Sequence, residues 1–173
     1  MHDTVITRQA LEQFGGFFRV IGCSAIWSDN FAQGMVEDAV TEAIAVNEVL
    51  GSSLQAFEIG NEVENYAHGR AFRKAPYTDQ QYSAEFSEWR AAILKAVPNA
   101  RFAAPDTAGS VEWVESMAQD AQGDVQLLTT HYYRSGQKQD SANQLMHADP
   151  KLLDKLVRLW DGFPAEWYSM AHV

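Results

Sequence analysis

Strand-like and helix-like segments alternate along the chain four times, and this alternation constrains the fold more than any other feature of the sequence. The strand candidates are short apolar and β-branched runs over residues 17–27, 54–60, 101–104 and 125–131. Strands that alternate with helices are typical of a parallel sheet whose strands are joined by helical crossovers. The sequence therefore predicts the α/β class, with about four βα units and one parallel sheet.

The first strand candidate, residues 17–27, contains an almost unbroken apolar run that includes Val20 and Trp27. Such a run is typical of a parallel strand that is buried on both faces. Residues 1–16 are predicted to form a helix and a turn before this strand. Cys23, the one cysteine of the chain, is expected to be a small core residue. A single cysteine excludes an intrachain disulfide.

The helix candidates follow the strands and cover residues 35–50, 78–97, 110–121 and 149–160. The second candidate opens with Thr78 and Gln81 at the spacing of a capping box, in which each side chain bonds the backbone N–H of the other residue. Gly51 is placed to end the first helix, and Ser110 is placed to begin the third. Apolar residues recur at three- and four-residue spacing, which predicts that one face of each helix packs on the sheet.

Four βα units make about half of a (β/α)8 TIM barrel, a fold that typically takes about 250 residues. We therefore expect one partial barrel domain over residues 1–173, with its βα units in residues 17–160 and a tail in residues 161–173. The outer strands of such a piece would present unpaired edges and uncovered apolar faces. An open doubly wound sheet also fits four units, but no glycine-rich phosphate-binding loop follows any strand candidate.

The charge balance is strongly acidic, with 13 Lys and Arg against 23 Asp and Glu and a net charge of −10. Such a chain repels phosphate backbones, which argues against a nucleic acid partner. No apolar run approaches the roughly 20 residues that a membrane-spanning helix requires. Residues 1–4 lack the pattern of a signal peptide, and the compartment stays open.

The histidines do not indicate a metal site. They are scattered, and none lies at a ligand-like spacing from a cysteine or a glutamate: His2, His68, His131, His147 and His172. No motif for a nucleotide or another cofactor accompanies them. We therefore expect neither a metal nor a cofactor.

The most informative segment is residues 57–62, Phe-Glu-Ile-Gly-Asn-Glu, at the end of the second strand. In parallel α/β barrels the functional groups project from the C-terminal ends of the strands, which is where Glu62 falls. Gly60 permits a backbone shape that other residues resist and allows a ligand to approach closely. Because side chains alternate along a strand, Glu58 is expected to point the same way as Glu62. Carboxyl groups in an apolar strand are costly to bury unless they are hydrogen-bonded or catalytic.

Two segments carry a resemblance to a known family. Residues 57–62, taken with residues 128–133 (Leu-Thr-Thr-His-Tyr-Tyr), resemble the β-glucuronidase and heparanase family of retaining clan A glycoside hydrolases. The resemblance extends from about residue 17 to residue 160 and places this region on the third to sixth strands of a barrel. It implies a carbohydrate substrate, with a glucuronide as the expected sugar class.

The resemblance also implies roles for single residues. Glu62 would be the acid/base carboxylate, Asn61 would bond the sugar 2-hydroxyl, and His131 and Tyr132 would line the sugar site. One departure is Val63, where members of the family more usually carry proline. The departure concerns the shape of the loop and leaves the carboxylate in place.

Retaining hydrolysis needs a second carboxylate, which attacks the anomeric carbon from roughly 5–5.5 Å away. In the resembling family this nucleophile is a glutamate at the end of the seventh strand. The one glutamate that follows the last helix candidate is Glu166, and little strand pattern precedes it. Glu166 is therefore either the nucleophile or a tail residue. We expect the chain by itself to be inactive if the nucleophile strand is missing.

Each of these residues also has a structural interpretation. Glu62 can cap the following segment or pair with Arg70 or Arg73, and His131 can be a buried imidazole with satisfied hydrogen bonds. The loop over residues 66–74 concentrates three cations. It fits either recognition of a uronic acid carboxylate, which suits arginine geometry, or a solvated surface.

Two functions from different classes follow. The first is hydrolysis of O-glycosyl bonds by a β-glucuronidase-like glycosidase with Glu62 as its general acid/base. The alternative is a catalytically inactive half-barrel that binds carbohydrate weakly or pairs with another chain. Exchange of Glu62 separates them, because an enzyme loses its turnover and a binder keeps its affinity for sugar.

Overall fold

The computed structural model describes residues 6–68, 72–121 and 123–131, and its regular elements alternate between helix and strand. The elements in chain order are α1 (Arg8–Ile21), β1 (Ala25–Asp29), α2 (Val36–Leu50), β2 (Leu54–Ile59), α3 (Asp79–Ala96), β3 (Phe102–Thr107), α4 (Val111–Asp120) and β4 (Leu127–Thr130). Two short 3-10 turns accompany β2, at Gly51–Ser53 before it and at Val63–Asn65 after it.

The four strands form one sheet in the order β1-β2-β3-β4, and every pair of neighbours is parallel. Strands that are consecutive in sequence are therefore neighbours in space, with α2, α3 and α4 as the crossovers between them. This confirms the predicted α/β class, with a four-stranded parallel sheet that alternates with helices. The arrangement is that of a partial βα repeat fold.

The core lies between the sheet and the helices. Phe57 in β2 contacts Phe102 in β3 with ring centroids 6.3 Å apart, and Phe86 of α3 meets Phe102 edge-on at 6.2 Å. All three rings are buried. Full burial of such a side chain contributes about 1.5–3 kcal/mol, so this layer is a main source of stability. The predicted apolar face of α3 is confirmed, since Tyr82, Phe86, Trp89, Ile93 and Val97 are all buried.

The opposite face of the sheet is partly exposed at β1 in the described part of the chain. Ser28 pairs in register with Glu58 of β2, so the two side chains share a face. On that face Ser28 is exposed and Ile26 keeps 44% of its surface exposed. Among the described residues, this face of β1 thus carries the exposed apolar side chain of Ile26.

The prediction that a strand begins at residue 17 is wrong. The prediction that the N-terminal helix and its turn end by residue 16 is wrong as well. Residues 17–21 are the last turns of α1, which begins after its N-cap Thr7 and ends at Gly22, with a φ of 73°. Leu11, Gly15 and Phe18 face the core at a spacing of three and four residues, which is a helical period. The unbroken apolar run concealed this period, because the helix also exposes apolar residues on its other side.

Cys23 is a second correction, because the structure places it on the surface and not in the core. It lies in the turn between α1 and β1, next to Gly22. Turns lie on the surface of a domain because their backbone groups need water. The prediction of a core position assumed that Cys23 lies within a strand, whereas β1 begins only at Ala25.

The other helix ends follow the predictions closely. The Thr78–Gln81 capping box is present in both directions, with distances of 3.3 Å and 2.9 Å. Gly51 caps α2 with a φ of 52°. Ser110 is the N-cap residue of α4, but its hydroxyl oxygen accepts no capping hydrogen bond from the helix backbone. The hydroxyl group donates to Glu112 at 3.2 Å. The helix candidate at residues 149–160 lies outside the described residues. No helix within the described ranges is long and apolar enough to cross a bilayer.

Candidate active site

Side chains from three neighbouring strand ends meet at the C-terminal edge of the sheet, where parallel α/β barrels place their functional groups. Glu62 follows β2, Asp106 lies near the end of β3 and His131 directly follows β4. His131 contacts both acidic residues, and Glu58 of β2 lies close enough to Asp106 for each to affect the pKa of the other. We call Glu58, Glu62, Asp106 and His131 the carboxylate–imidazole cluster.

Glu62 and Asp106 share an unusual backbone conformation. Their φ angles are 52° and 49°, and within the described ranges they are the two non-glycine residues with positive φ. A side chain held in such a region costs of order 1–3 kcal/mol, and the strain persists only where the surroundings enforce it. The Glu62 N–H donates to the Asp106 carbonyl oxygen at 2.6 Å, so the two strained residues hold each other. Strain of this kind concentrates at functional sites.

Gly60 precedes Glu62 by two residues and has a φ of 104°. This is the backbone shape that other residues resist, as predicted for Gly60. A Cβ atom added there would collide with the Val63 side chain and lie 3.3 Å from Phe31. The close approach at Gly60 is therefore made by the protein's own side chains. Val63, the residue that departs from the resembling family, is buried and begins the 3-10 turn after Glu62.

Asp106 reaches the cluster through an irregularity in β3. The register with β4 shifts between Pro105 and Thr107, so Asp106 is an extra residue in the ladder. Bulges of this type redirect a side chain. Strict alternation would turn Asp106 to the helix side together with Phe102, whereas its carboxyl group contacts His131 and Glu58.

His131 lies between two carboxyl groups. Its Nδ1 atom is 3.0 Å from Glu62 Oε1, and its Nε2 atom is 3.1 Å from Asp106 Oδ1. Its backbone N–H donates to the Thr107 carbonyl oxygen at 2.6 Å, which anchors the residue to β3. The side chains of His131 and Glu62 are 30% and 32% exposed, so a ligand can reach them, whereas that of Asp106 is only 8% exposed.

Burial and charge shift the proton affinities within the cluster. Desolvation, with the charge of Asp106, raises the pKa of Glu58 to about 7. Desolvation also raises the pKa of Asp106, against the opposing effect of His131. Burial by itself would lower the pKa of His131, but its hydrogen bonds to Glu62 and Asp106 and their charges outweigh burial and raise it. The charged form of His131 is therefore more favoured than that of an ordinary histidine.

Glu64 supports the backbone around the cluster. Its Oε1 atom accepts a hydrogen bond from the Ala108 N–H at 2.6 Å, which ties the loop after β2 to the loop after β3. Desolvation raises the pKa of this carboxyl group. Glu64 thus connects the loop after β2, which carries Glu62, to the loop after β3, and it is not a surface charge.

Of the remaining predicted site residues, the structure describes Asn61 but not Tyr132. Asn61 is exposed beside Glu62, and its N–H donates to the hydroxyl oxygen of Tyr66 at 3.3 Å. Tyr132, predicted to line the sugar site, lies outside the described residues, and so do Glu166 and Arg70. The structure thus brings Asn61, Glu62 and His131 to one edge of the sheet.

Arg73 does not behave as a solvated cation or as a partner of Glu62. It forms an ion pair with Glu85 at 2.8 Å and donates to the carbonyl oxygens of Phe31 and Ala32. Its guanidinium group also lies 4.9 Å from the centroid of the Phe31 ring. The surface-loop interpretation is therefore wrong for Arg73, because this residue fastens its loop to the core.

Sequence reasoning missed Asp106 and Glu64. The third strand was predicted to end at residue 104, whereas β3 continues to Thr107. A usable signal was present, because Asp106 is a carboxylate that closely follows an apolar run in a parallel fold. No comparable signal identified Glu64, since its role depends on the position of Ala108, which is distant in sequence.

Within the described ranges, no group of three or more His, Cys, Asp and Glu side chains is placed to hold a metal ion. No protein-family model matches the chain. A search of curated proteins likewise gives no significant match. The geometry of the carboxylate–imidazole cluster therefore carries the functional argument.

Proposed function

We propose that this chain carries the acid/base side of a retaining β-glycosidase site of β-glucuronidase-like lineage, with Glu62 as the acid/base residue. The observation that supports the proposal is the position of Glu62. It follows a parallel strand at the C-terminal edge of the sheet, in a strained conformation, with Oε1 at 3.0 Å from His131 Nδ1. The resemblance of residues 57–62 and 128–133 to that family points to the same residue.

The proposed chemistry uses Glu62 twice. It first gives a proton to the leaving glycosidic oxygen, which takes the electron pair of the broken C–O bond, while a second carboxylate bonds to the anomeric carbon. Glu62, now a carboxylate, then takes a proton from the water that hydrolyses the glycosyl intermediate. Partial exposure of Glu62 suits both steps, because a sugar and a water molecule must reach it.

The resemblance supplies the remaining roles. Asn61, which is exposed beside Glu62, bonds the sugar 2-hydroxyl, and His131 and Tyr132 line the sugar site. Glu166 is the candidate nucleophile within this chain. The substrate is a β-glycoside, and a glucuronide is the first one to test.

The test is hydrolysis of 4-nitrophenyl β-D-glucuronide by the purified chain and by Glu62→Gln. We expect the substitution to reduce turnover by roughly 10²–10⁴-fold, which is the usual contribution of a positioned acid/base group. Azide should restore turnover in Glu62→Gln, because a small anion attacks a glycosyl intermediate without needing a general base. Glu88→Gln, which removes an exposed carboxylate from α3, is the matched control and should leave turnover unchanged.

A folded chain without turnover requires a second measurement. A thio-linked aryl glucuronide resists hydrolysis, and its binding is followed through the amide signals of Glu62 and His131. Binding without turnover favours the inactive carbohydrate-binding half-barrel. A chain that neither hydrolyses the glucuronide nor binds the thioglycoside contradicts the proposal, and so does turnover that survives Glu62→Gln.

The chain-pairing alternative has one observation in its favour. The face of β1 that carries Ile26 and Ser28 is uncovered within the described part of the molecule. Exposed apolar surface of this kind is typical of association sites. Concentration-dependent self-association of the chain, without sugar binding, is the result that would favour this alternative.

A further inference from the structure

Both ring nitrogens of His131 face carboxyl oxygens, and this arrangement restricts where protons can lie. A neutral imidazole donates from one nitrogen and accepts at the other, whereas an imidazolium donates from both. An ionised carboxylate only accepts. With Glu62 Oε1 at 3.0 Å from Nδ1 and Asp106 Oδ1 at 3.1 Å from Nε2, two ionised partners are satisfied together only by the imidazolium.

Asp106 is held in this position by several contacts. Its N–H donates to Thr129 Oγ1 at 3.2 Å, and its carbonyl oxygen accepts from the Glu62 N–H at 2.6 Å. The bulge in β3 turns its carboxyl group toward His131. Glu58 of β2 also lies close enough to Asp106 and Thr129 to affect proton binding in the cluster. Asp106 is therefore held by contacts with β4 and with the segment that follows β2.

We propose that His131 is an imidazolium clamped between Glu62 and Asp106, and that Asp106 is the positioning residue that keeps this charge against the acid/base carboxylate. The inference about the clamp rests on the geometry alone. Its consequence for catalysis rests on the proposed function. When Glu62 gives up its proton, the new carboxylate faces a cation that is already in place, and preorganised charge of this kind stabilises developing charge without reorganisation.

The charged and titratable groups that face His131 come from each neighbouring strand. Glu62 follows β2, Glu58 lies within β2 and Asp106 lies in β3. All of them are acidic. Their combined effect outweighs the burial that disfavours a charged imidazole, in keeping with the raised pKa of His131.

The clamp is tested by nuclear magnetic resonance titration of the histidine rings in the ligand-free chain. The His131 signals are assigned by their absence in His131→Gln. We expect both ring nitrogens of His131 to show imidazolium shifts at a pH where an unperturbed histidine is neutral. Asp106→Asn should lower the pKa of His131 by about one unit or more, because it removes an adjacent opposite charge. Asparagine tolerates positive φ, so this substitution suits the backbone at Asp106.

Two further variants make the titration decisive. Asp124→Asn removes a carboxylate that pairs with Arg90 at 2.8 Å elsewhere in the molecule, and it should leave the His131 titration unchanged. Glu62→Gln removes the other partner and should also lower the pKa of His131, which keeps the test available if Asp106→Asn fails to fold. A neutral His131 in the unmodified chain at pH 7 overturns the clamp. A His131 pKa that neither substitution changes overturns it as well. If the chain neither hydrolyses nor binds the glucuronide, the glycosidase proposal fails, but the expected His131 titration is unchanged.

Discussion

Asp29 is a buried carboxyl group without a hydrogen-bond partner among the described residues. It is the last residue of β1, its side chain is almost fully buried, and neither carboxyl oxygen has a hydrogen-bond partner among the described residues. Trp27, two residues earlier, donates to Glu42 of α2 at 2.7 Å, so this side of β1 faces the helix layer. Desolvation, with a smaller contribution from the Glu42 charge, raises the pKa of Asp29 to about 8. The protonated form is therefore the one that suits the core.

Asp29→Asn should stabilise the chain at neutral pH. The unfolded chain releases the Asp29 proton near its ordinary pKa of 3.8, whereas the folded chain keeps it until about pH 8. Folding therefore loses stability as pH rises between these values, by up to about 1.4 kcal/mol per pH unit. Urea unfolding at pH 4, 6 and 8 should show the advantage of Asp29→Asn growing with pH. Asp120→Asn, at an exposed position, is the control, and a constant difference across pH would contradict the assignment.

At the scale of an element, α3 combines a capped first turn with a face that packs in the core. Its first turn is closed by the Thr78–Gln81 box, and its buried face carries Phe86 and Trp89 against the sheet. The hydroxyl of Tyr82 also donates to the carbonyl oxygen of Ile59 at 2.7 Å, at the end of β2 where the functional segment begins. The packing of α3 therefore bears directly on the segment that carries Glu62.

Thr78→Ala should lower the free energy of unfolding by about 1 kcal/mol, because it removes the acceptor for the Gln81 N–H. Urea denaturation measures this loss. Ser87→Ala is the matched control on the same helix. Its hydroxyl donates to the Ser83 carbonyl oxygen at 2.8 Å within the exposed helix interior, where such bonds add little. Equal effects of the two substitutions would contradict a specific role for the capping box.

At the scale of the whole molecule, apolar surface is concentrated near the start of the described chain. Val20 is 86% exposed and Phe17 is 57% exposed on α1, close in sequence to β1. β1 is an edge strand of the sheet that the described residues form. Exposed apolar residues on a helix and edge strands both promote association. The net charge of −10 opposes it through mutual repulsion.

Phe17→Lys combined with Val20→Lys should reduce self-association, measured by sedimentation at increasing protein concentration. Gln9→Lys combined with Gln13→Lys places the same charge on exposed positions of α1 without removing apolar surface, and it should have a smaller effect. A chain that is monomeric at all concentrations contradicts the expectation. If the two double substitutions reduce self-association equally, the added charge and not the loss of apolar surface causes the reduction.

The sequence by itself determined the elements, because local patterns decide them. The parallel alternation, the Thr78 capping box and the Gly51 helix end could all be read from spacing, and Glu62 and His131 were identified as site candidates. Two local assignments failed. A continuous apolar run at α1 does not distinguish a strand from a helix that is apolar on both sides. The third strand was predicted to end at residue 104, whereas β3 continues to Thr107.

Only the tertiary structure decided how the site is assembled. Glu62 and His131 are 69 residues apart, and their 3.0 Å contact depends on the pairing of β2, β3 and β4. Asp106 joins them because a bulge and a positive φ turn its side chain across the sheet, and neither can be derived from local spacing. Contacts between distant residues depend on strand register, which is a property of the packed sheet and not of any one segment.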